Sequence, residues 1–533
     1  MEFVGILLFL YWLNYGSTQK PCIPRSVNGD TSRIVCVCNS TYCDEFPPLG
    51  TLNPYDVAVY TSSISGKRFE RTTATFTDIP PFGLGSLLRS LTQLKVKLDD
   101  SNQYQKMAGF GCSLGESPAY HLFQSKLSNE SKTSLLHAFF GQEGIGYSIG
   151  RVPIFTCDHP EYGCIQDNVT DDFNLTHFSL VGCDLQLKIP LIKNVQQLVG
   201  NELKLFTSPW SAPGWMKTNG QITGSDNIKG EVNGPYWQAW ANYHIRFFEE
   251  YAKQGINFWG MTVQNEGSST GLVGVDWAAM WMGPEMTRDF IKETLGPALR
   301  NHPLTKDIFL MINDDQKWLL PWFTYIVLSD PDAAKFINGT AVHWYENFLA
   351  NPALTLGLTH AQFPNHALFA SEASNDYLDN SNHLGLWSDA IAYASDIIDD
   401  FQHWVTGWTD WNSWLIDFSY PPIVINRTID EFYKNPVYYA LGHFSKFVRP
   451  NSIRVNLGIT GIQGISFHSA DLLKDDVDGI GFLTSSNQHV VVLQNRDNNN
   501  PYQLSIQDAG ISGKEVKLTI EPNSFVTLVW NKI

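Results

Sequence analysis

The sequence predicts a (β/α)8 TIM barrel with an appended antiparallel β-sandwich and a small disulfide-stapled N-terminal lobe. Three observations lead to this prediction. Short apolar runs alternate with helix-like segments along the middle of the chain. Alternating apolar and polar residues occupy both ends of the chain, and four cysteines lie close together near its beginning.

The beginning of the chain has the pattern of a secretory signal peptide. An apolar run from Phe3 to Leu13 is followed by small and polar residues, and it is too short to span a bilayer. Glu2 is its early charge, so the usual basic residues are missing. We expect a signal peptide over 1–19 and no later membrane span.

Sequons for N-glycosylation also favour the secretory route, since each can accept a glycan in the secretory pathway. The six sequon asparagines are Asn39, Asn129, Asn168, Asn174, Asn338 and Asn426.

Four cysteines define the N-terminal lobe, which we expect over 20–51. They are Cys22, Cys36, Cys38 and Cys43. In a secreted chain such crowding indicates two disulfide bonds, for which three connectivities are possible. A zinc site is the alternative, but the two-residue spacers and a nearby histidine are missing.

Eight apolar runs are the predicted strands of the barrel, for which we expect residues 105–450. They are 105–112, 146–153, 204–210, 257–266, 307–314, 339–345, 367–372 and 405–412. The segments between them are long enough for helices, and 235–253 and 283–294 carry helical periodicity. Strands that alternate with helices imply a parallel sheet, and eight of them imply a closed barrel.

The segments 52–104 and 451–533 flank the barrel. Their alternating patterns are separated by short turns, which favours antiparallel strands. We therefore expect one β-sandwich that is built from both ends of the chain, with the barrel inserted between them.

The composition excludes several classes of protein. With 43% hydrophobic residues among 533, the chain can build a sizeable core and is not disordered. Its 36 Lys+Arg and 53 Asp+Glu give a formal net charge of -17, which argues against nucleic acid or an anionic membrane as the main partner.

Two glutamates lie where a barrel carries its chemistry, at the C-terminal ends of strands. Glu266 ends the fourth predicted strand and Glu372 ends the seventh. Two carboxyl groups that face each other across a pocket are the machinery of glycoside hydrolysis, and Asn265 is placed to bind a sugar hydroxyl. The alternative is that each glutamate is a solvated loop residue.

Other residues at or after the strand ends are candidates for the sugar pocket. They are Arg151, Asp158, Trp210, His343, Tyr345 and Trp411. Arg151 can orient a carboxylate or form a structural salt bridge, and the aromatic residues can line a pocket or fill the core. The sequence has no HExxH, no phosphate-binding glycine loop and no CxxC pair, so no metal or cofactor is predicted.

With these residues identified, the chain resembles the acid β-glucosidases of glycoside hydrolase family 30 over nearly its whole length. The resemblance rests on motifs that occur in the family's order. They are PCIP, VCVCNSTYC, LKIPLI, KTNG, AVHWY, LFASEA, GWTDWN and LGHFSKF.

The resemblance implies the role of each candidate residue. Glu266 would be the acid/base and Glu372 the nucleophile of a retaining hydrolysis. Asp158, Trp210, Asn265 and Trp411 would bind the glucosyl unit, and Arg151, His343 and Tyr345 would surround the carboxylates. It also implies disulfide bonds from Cys22 to Cys36 and from Cys38 to Cys43, with no cofactor.

The resemblance further implies a glucosylceramide substrate, a lysosomal location, and activation by a saposin-type protein and anionic lipid. The segment 318–322, Trp-Leu-Leu-Pro-Trp, is a candidate for the approach of the lipid tails. The alternative is the start of a helix that packs on the barrel.

The chain departs from the family pattern in three places. Gly267 replaces the proline that follows the Asn-Glu motif, and the loop 413–421 is short. Cys112 and Glu116 also stand where the family has other residues. The hypothesis from sequence is a lysosomal retaining β-glucosidase that releases glucose from glucosylceramide. Its alternatives are a non-catalytic glucosyl-lipid binding protein, and a related β-glycosidase or transglucosylase with another aglycone.

Overall fold

A computed structural model describes residues 20–81, 93–155, 164–375, 382–468 and 472–533. The predicted signal peptide at 1–19 lies outside these residues. So do Cys157 and the candidate sugar-binding residue Asp158.

The strands fall into three groups along the chain. Before the barrel they are β1 (Pro24–Val27), β2 (Asp30–Asn39), β3 (Asp56–Ser63), β4 (Glu70–Thr75), β5 (Thr77–Asp78) and β6 (Gln93–Lys106). The barrel strands are β7 (Gly109–Ser113), β8 (Ile149–Ile154), β9 (Lys204–Pro209), β10 (Gly260–Thr262), β11 (Phe309–Gln316), β12 (Gly339–His343), β13 (Ala367–Glu372) and β14 (Val405–Asp410). After it come β15 (Trp414–Ile416), β16 (Ile423–Ile425), β17 (Glu431–Lys434), β18 (Ile453–Thr460), β19 (Ile465–His468), β20 (Leu472–Asp475), β21 (Val477–Leu483), β22 (Gln488–Asn495), β23 (Tyr502–Asp508), β24 (Lys514–Ile520) and β25 (Ser524–Asn531).

The α-helices of the described residues lie mostly between the barrel strands. They are α1 (Glu116–Gln124), α2 (Asn129–Phe140), α3 (Ile189–Val199), α4 (Pro235–Lys253), α5 (Ser269–Val273), α6 (Pro284–Phe290), α7 (Gly296–Asn301), α8 (Trp322–Leu328), α9 (Pro331–Ala334), α10 (Leu358–Gln362), α11 (Trp387–Gln402) and α12 (Pro436–Ser445).

The barrel strands β7 to β14 are parallel and close in chain order, with β14 paired to β7. Each of the eight predicted runs overlaps one of them, so the predicted barrel is confirmed. The fourth strand is shorter than predicted: Gly260–Thr262 pairs with β11, and Gly260 and Met261 pair with β9. Glu266 therefore lies in the turn that follows the strand rather than at its last position.

Helix α4 illustrates why the segments between the strands are helical. Pro235 occupies its first turn, where a missing N–H costs nothing. Trp237, Tyr243 and Phe247 are buried at spacings that place them on one face of the helix. The helix covers the barrel with this face, as its periodicity predicts.

The appended domain is built from both ends of the chain, as predicted. Ten strands follow the order β4-β3-β25-β22-β21-β18-β6-β23-β24-β5. Contacts of β24 with β4 and β25 bring the two ends of the sheet together around a separate apolar core. One pair differs from the antiparallel prediction, since β6 and β23 are parallel. Strand β6 runs on to Lys106, and the first barrel strand begins at Gly109.

Strands from later in the chain pair with the two strands of the predicted N-terminal lobe. Strand β2 pairs with β17, and β16 and β15 complete a five-stranded sheet with β1. An isolated two-stranded hairpin is marginally stable in water, and these later strands give it a packed sheet. The disulfide bonds join Cys22 to Cys36 and Cys38 to Cys43, which is the pairing that the resemblance implies.

Two further findings concern the described residues as a whole. A third disulfide bond joins Cys164 to Cys183, and the Cys112 thiol is free and buried. No helix in the described part of the chain is both long and apolar enough to cross a membrane. The predicted domain boundaries at 51/52, 104/105 and 450/451 stay predictions.

Candidate active site

Glu266 and Glu372 lie together at the C-terminal mouth of the barrel. Glu372 is the last residue of β13, and Glu266 follows β10 in a turn. One carboxylate oxygen of each lies within 4.8 Å of the other and of a ring nitrogen of His343. The Glu266 side chain is 16% exposed and the Glu372 side chain 7% exposed, so both face a nearly closed site.

The turn that carries Glu266 has a strained backbone. Glu266 has a φ of +46°, which is uncommon for a residue with a side chain. Its N–H donates to the carbonyl of Asp314 at 2.9 Å, and the Asn265 N–H donates to the carbonyl of Pro209 at 2.9 Å. Contacts with the neighbouring strands β9 and β11 therefore maintain the turn.

Glu372 is bound by donors on both carboxylate oxygens. Arg151 donates from Nη1 to Oε2, and the Tyr345 hydroxyl donates to Oε1 at 2.7 Å. A charge-assisted hydrogen bond of this kind stabilises the ionised form of the carboxyl. Two donors thus fix the orientation of the Glu372 carboxyl group in the site.

Arg151 links the nucleophile candidate to the rest of the site. It is fully buried, and its Nη2 donates to Asn265 Oδ1 and to Asp314 Oδ2, each at 2.8 Å. Burial lowers the pKa of Arg151, but the charges of Asp314 and Glu372 outweigh it and raise the pKa above its usual value. The guanidinium is a fixed cation. The sequence left two roles open for it, and Arg151 has both: it orients the Glu372 carboxylate and forms a buried salt bridge with Asp314.

Asp314 lies at the centre of the site, although the sequence did not single it out. Besides Arg151, it accepts hydrogen bonds from Ser371 Oγ at 2.5 Å, Thr262 Oγ1 at 2.6 Å and His343 Nε2 at 3.1 Å. Burial raises the pKa of Asp314, but Arg151 and His343 outweigh it and hold the pKa well below its usual range.

His343 joins Asp314 to Glu266. Its Nδ1 lies 3.1 Å from Glu266 Oε1, and its Nε2 faces Asp314. Burial lowers the pKa of His343, but Glu372, Asp314 and Glu266 together raise it to about 10. The imidazole is therefore protonated at neutral and acidic pH and donates a hydrogen bond from each nitrogen.

Gln316 is a second residue that the sequence analysis missed. Its Nε2 donates to Glu266 Oε1 at 2.9 Å, so this oxygen accepts from both Gln316 and His343. The missed residues lie in the polar run Asn-Asp-Asp-Gln, 313–316, at the end of β11. That run was the available signal, since polar residues that end a barrel strand point to the mouth.

The two predicted sugar-pocket tryptophans stack on each other. The Trp210 and Trp411 rings lie with centroids 5.0 Å apart at an interplanar angle of 23°. Arg151 lies 4.7 Å from the first ring and 5.2 Å from the second. Their flat surfaces and the guanidinium form one wall beside the glutamates.

The sequence matches the TIM-barrel domain of glycosyl hydrolase family 30 over residues 107–448, and the β-sandwich domain of that family over 462–528. The chain belongs to glycoside hydrolase family 30. It is therefore a glycoside hydrolase. The two domains of this family correspond to the barrel and the appended sheet described above.

Relatives of this family 30 hydrolase include proteins that are named for different activities. The lysosomal acid glucosylceramidase of Mus musculus is 37% identical over 548 residues, which are 99% of either chain. The endo-1,6-beta-D-glucanase of Neurospora crassa is 25% identical over 82% of this chain and 88% of its own. The crystal structure of SrfJ from Salmonella typhimurium has a TM-score of 0.74 and 23% identity over 90% of this chain and 100% of its own, a likeness in fold.

Gly267 is the departure from the family pattern that lies nearest the site. A Cβ at this position would lie 3.0 Å from Gln264 Cγ and 3.0 Å from the carbonyl oxygen of Met282. The Met282 N–H donates to the carbonyl of Gly267 at 2.9 Å. Glycine thus allows the segment before α6 to pack closely against the turn of Glu266 in this hydrolase.

Glu266, His343 and Glu372 present atoms close enough together to bind one metal ion. The chemistry of the set does not fit a cation, because a protonated imidazole has no lone pair to donate. The Arg151 guanidinium already compensates Glu372. Described residues of the family 30 site are better suited to proton transfer than to metal binding.

Proposed function

We propose that this hydrolase is a retaining β-glucosidase that cleaves glucosylceramide to glucose and ceramide. The observation that carries the proposal is that one carboxylate oxygen of Glu266 lies within 4.8 Å of one carboxylate oxygen of Glu372. Retaining glycosidases have carboxyl groups about 5–5.5 Å apart, whereas inverting enzymes separate them by roughly 6.5–9.5 Å.

In the first step, Glu372 attacks the anomeric carbon while Glu266 donates its proton to the glycosidic oxygen. The bond from carbon to the ceramide oxygen breaks, an ester bond to Glu372 forms, and ceramide leaves with the proton of Glu266. Because Oε1 of Glu266 accepts from Gln316 and His343, the transferable proton belongs on Oε2.

In the second step, the ionised Glu266 takes a proton from water, and the water oxygen attacks the anomeric carbon. The ester bond breaks, Glu372 becomes a carboxylate again, and glucose leaves with its original configuration. Arg151 and Tyr345 stabilise Glu372 each time it becomes ionised.

The same residues provide contacts for the glucosyl unit. Asn265 Oδ1 accepts from Arg151, which turns the amide Nδ2 toward a donor role for the hydroxyl beside the reacting carbon. Trp210 and Trp411 offer an apolar wall, and Asp158 is proposed as a further sugar ligand by resemblance alone.

Exposed apolar residues around the mouth support a lipid aglycone. Leu272 and Val273 end α5, just after Glu266, and are 71% and 75% exposed. Phe348 and Leu349 follow Tyr345 and are 67% and 60% exposed. Such residues are suited to contact with a lipid surface.

The proposed lipid segment at 318–322 contributes less than expected. Leu319 and Leu320 are buried, and Trp318 is half-buried and donates from Nε1 to Glu346. Trp322 is 53% exposed at the start of α8. The packing alternative thus describes most of this segment, and we propose Trp322 as its lipid-facing residue, with a saposin-type activator and anionic lipid as partners.

We also propose that the protein acts in the lysosomal lumen after entering the secretory pathway. Disulfide bonds support an oxidising route, and the mouse relative carries a lysosomal name. The exposed sequon asparagines best suited to carry glycan are Asn129, Asn168, Asn174 and Asn338. Asn426 is less suited, because its Nδ2 donates to the Tyr433 hydroxyl at 2.8 Å.

The test combines turnover with active-site labelling. Purified secreted protein is assayed with a fluorogenic β-glucoside near pH ~5 and treated with a mechanism-based cyclitol epoxide, and the labelled peptide is sequenced by mass spectrometry. We expect turnover, label on Glu372, and β-glucose as the first anomer released. Glu372→Gln is expected to abolish both signals, whereas Glu202→Gln, at an exposed surface glutamate, leaves them unchanged.

Release of α-glucose first would contradict the retaining mechanism. Label on Glu372 without turnover, or neither signal from folded protein with activating lipid present, would instead favour the glucosyl-lipid binding alternative. Turnover of the fluorogenic substrate without hydrolysis of glucosylceramide would favour a β-glycosidase or transglucosylase with another aglycone.

A further inference from the structure

Three consecutive side chains of β11 serve the site, which a regular strand does not permit because its side chains alternate between two faces. Asp314 contacts Arg151 and His343, and Gln316 contacts Glu266. Between them the register with β12 shifts at 313–315. Asn313 and Asp314 have φ values of +68° and +53°. This bulge redirects the strand, and Asp315 is left facing the turn of Glu266.

Asp315 binds the backbone of that turn. It is fully buried, and its Oδ2 accepts from the N–H groups of Ser268 at 2.9 Å and Ser269 at 3.0 Å. Its Oδ1 accepts from the N–H of Gln316 at 2.8 Å. Because Gly267 leaves the backbone beside Glu266 without a ring or side chain to restrict it, these bonds are a principal constraint on the turn.

Asp315 also places an acidic charge beside Glu266. The partners of Asp315 in the described part of the chain are backbone N–H groups and the Ser269 side chain, and no lysine or arginine is paired with it there. Burial, followed by the charge of Glu266, raises the pKa of Asp315 to about 6. Asp315 and Glu266 therefore do not readily ionise together, because like charges that share a site oppose each other.

The other groups that face Glu266 act in the opposite direction or are shared. His343 on β12 is a cation in contact with Oε1 of Glu266, so its charge is opposite in sign to that of an ionised Asp315. Glu372 on β13 is compensated by Arg151 on β8, and Gln316 on β11 is neutral. Asp315 is the remaining charged neighbour, and it is placed to oppose the effect of His343.

We propose that Asp315 is a positioning residue for the acid/base: it fixes the turn of Glu266 and retains the proton on Glu266 for the first step. The inference rests on the proposed function. It predicts that loss of Asp315 lowers kcat/KM most for leaving groups that need protonation. It also predicts that this loss of kcat/KM is greatest at the alkaline side of the pH range.

The experiment compares Asp315→Asn with wild-type protein on two β-glucosides. One carries an alkyl leaving group that needs protonation, and the other carries 2,4-dinitrophenolate, which does not. We expect kcat/KM for the alkyl glucoside to fall roughly ten- to hundredfold, since general acid catalysis contributes about 10²–10⁴-fold in total. For the dinitrophenyl glucoside we expect a change of less than about threefold, and the alkaline limb of kcat/KM should move to lower pH.

Asp508→Asn is the matched control, because Asp508 is also buried and accepts a backbone N–H, from Gly510, but lies in the appended domain. It is expected to lower thermal stability without changing the ratio of the two substrates or the alkaline limb. If Asp315→Asn is not secreted, Asp315→Glu retains the charge on a longer side chain. It should lower kcat while the alkaline limb remains in place.

Equal losses on both substrates with an unmoved alkaline limb would overturn the role of Asp315 and reduce it to a structural contact. A moved limb in Asp315→Glu would do the same. Wild-type protein without turnover would overturn the proposed function itself. Failure of the function and failure of this inference are therefore distinct results.

Discussion

The two glutamates differ in what surrounds each carboxyl group. Glu372 has a donor on each oxygen, one of them the Arg151 cation. Among the described residues, Glu266 has donors on one oxygen alone. It is more exposed than Glu372, and the buried Asp315 carboxyl group lies beside it. Such unequal environments are how a protein assigns different tasks to two similar carboxyl groups.

A prediction at the scale of single residues concerns the faces from which the two glutamates act. Glu266→Gln should lower turnover of a weakly activated β-glucoside by roughly 10²–10⁴-fold, because protonation of the leaving group is lost. With a dinitrophenyl β-glucoside, whose leaving group needs no proton, the glycosyl-enzyme still forms in this variant. Azide should attack that intermediate and speed turnover, and the product should be the β-glucosyl azide. The measurement is product configuration by proton NMR.

Glu372→Ala serves as the complementary variant. It removes the nucleophile and opens the opposite face, so azide should give the α-glucosyl azide from an activated β-glucoside. The same anomer from both variants, or the two anomers exchanged, would contradict the assignment of acid/base and nucleophile.

Sequence reasoning found the residues that can be recognised by their type and by their position at or near the end of a strand. Glu266, Glu372 and Arg151 belong to this group. It missed Asp314, whose role depends on a bulge in β11 and on contacts with four other strands. Such contacts join residues that are far apart in the chain, so no local pattern specifies them.

At the scale of elements, the appended sheet contains a buried acidic cluster of its own. His489 on β22 lies between Asp508 at 2.8 Å and Asp100 at 3.1 Å, and Trp530 donates to Asp508 at 2.8 Å. Burial raises the pKa of Asp508, but His489 and Trp530 outweigh it and lower the pKa below its usual value. The ionised form of Asp508 therefore stabilises the fold.

The lowered pKa sets the pH range over which this stabilisation acts. It is present above the unfolded value of about 3.9 and is lost as the pH falls through the lower, folded value. Asp508→Asn should lower the thermal midpoint by roughly 3–6 °C at both pH 7 and pH ~5, and the difference should disappear only in stronger acid.

Differential scanning fluorimetry across that pH range checks this prediction. A difference that already shrinks between pH 7 and pH ~5 would contradict it, because the responsible group would then titrate above the usual range of an aspartate. Asp497→Asn, at an exposed turn whose carboxylate also accepts backbone N–H groups, is a suitable control for the effect of burial.

Individual strands also show what the apolar pattern of the sequence cannot specify, namely strand bounds and strand partners. Strand β10 covers only Gly260–Thr262, although the apolar pattern extends over 257–266. The pattern records burial, and residues beyond Thr262 are buried in a turn rather than paired in a strand. Likewise, β15 to β17 join the N-terminal lobe, and their partners lie nearly 400 residues earlier in the chain.

At the scale of the whole molecule, apolar residues are concentrated where a lipid substrate would enter. Phe348 and Leu349 lie beyond β12, and Leu272 and Val273 lie beyond β10. Phe348 and Leu349 follow Tyr345, which donates to Glu372. Leu272 and Val273 follow Glu266, the proposed acid/base. We expect this surface to meet the membrane that carries the substrate.

The corresponding prediction separates lipid contact from chemistry. Replacing Phe348 and Leu349 together by serine should lower hydrolysis of glucosylceramide in phospholipid vesicles by roughly tenfold or more, because apolar contact area with the lipid is lost. Hydrolysis of a soluble fluorogenic glucoside should be unchanged. Vesicle flotation and turnover measure the two effects.

Ile462→Ser is the matched control, since Ile462 is 77% exposed and lies between β18 and β19, in the appended domain. It should change neither activity. An equal loss on vesicles for this variant, or a loss on the soluble substrate for the serine pair, would contradict a lipid-contact role for the rim.

The sequence alone determined the barrel, the domain built from both chain ends, and the two glutamates at or just after the ends of two barrel strands. These features depend on periodicity and on the position of a residue within its own element, which are local properties. Tertiary structure decided the bulge in β11, the network through Asp314, the contact of Asp315 with the turn of Glu266, and the strands that complete the N-terminal lobe. Each arises from pairing or burial between distant segments, and the energy of such contacts is defined only once the chain has folded.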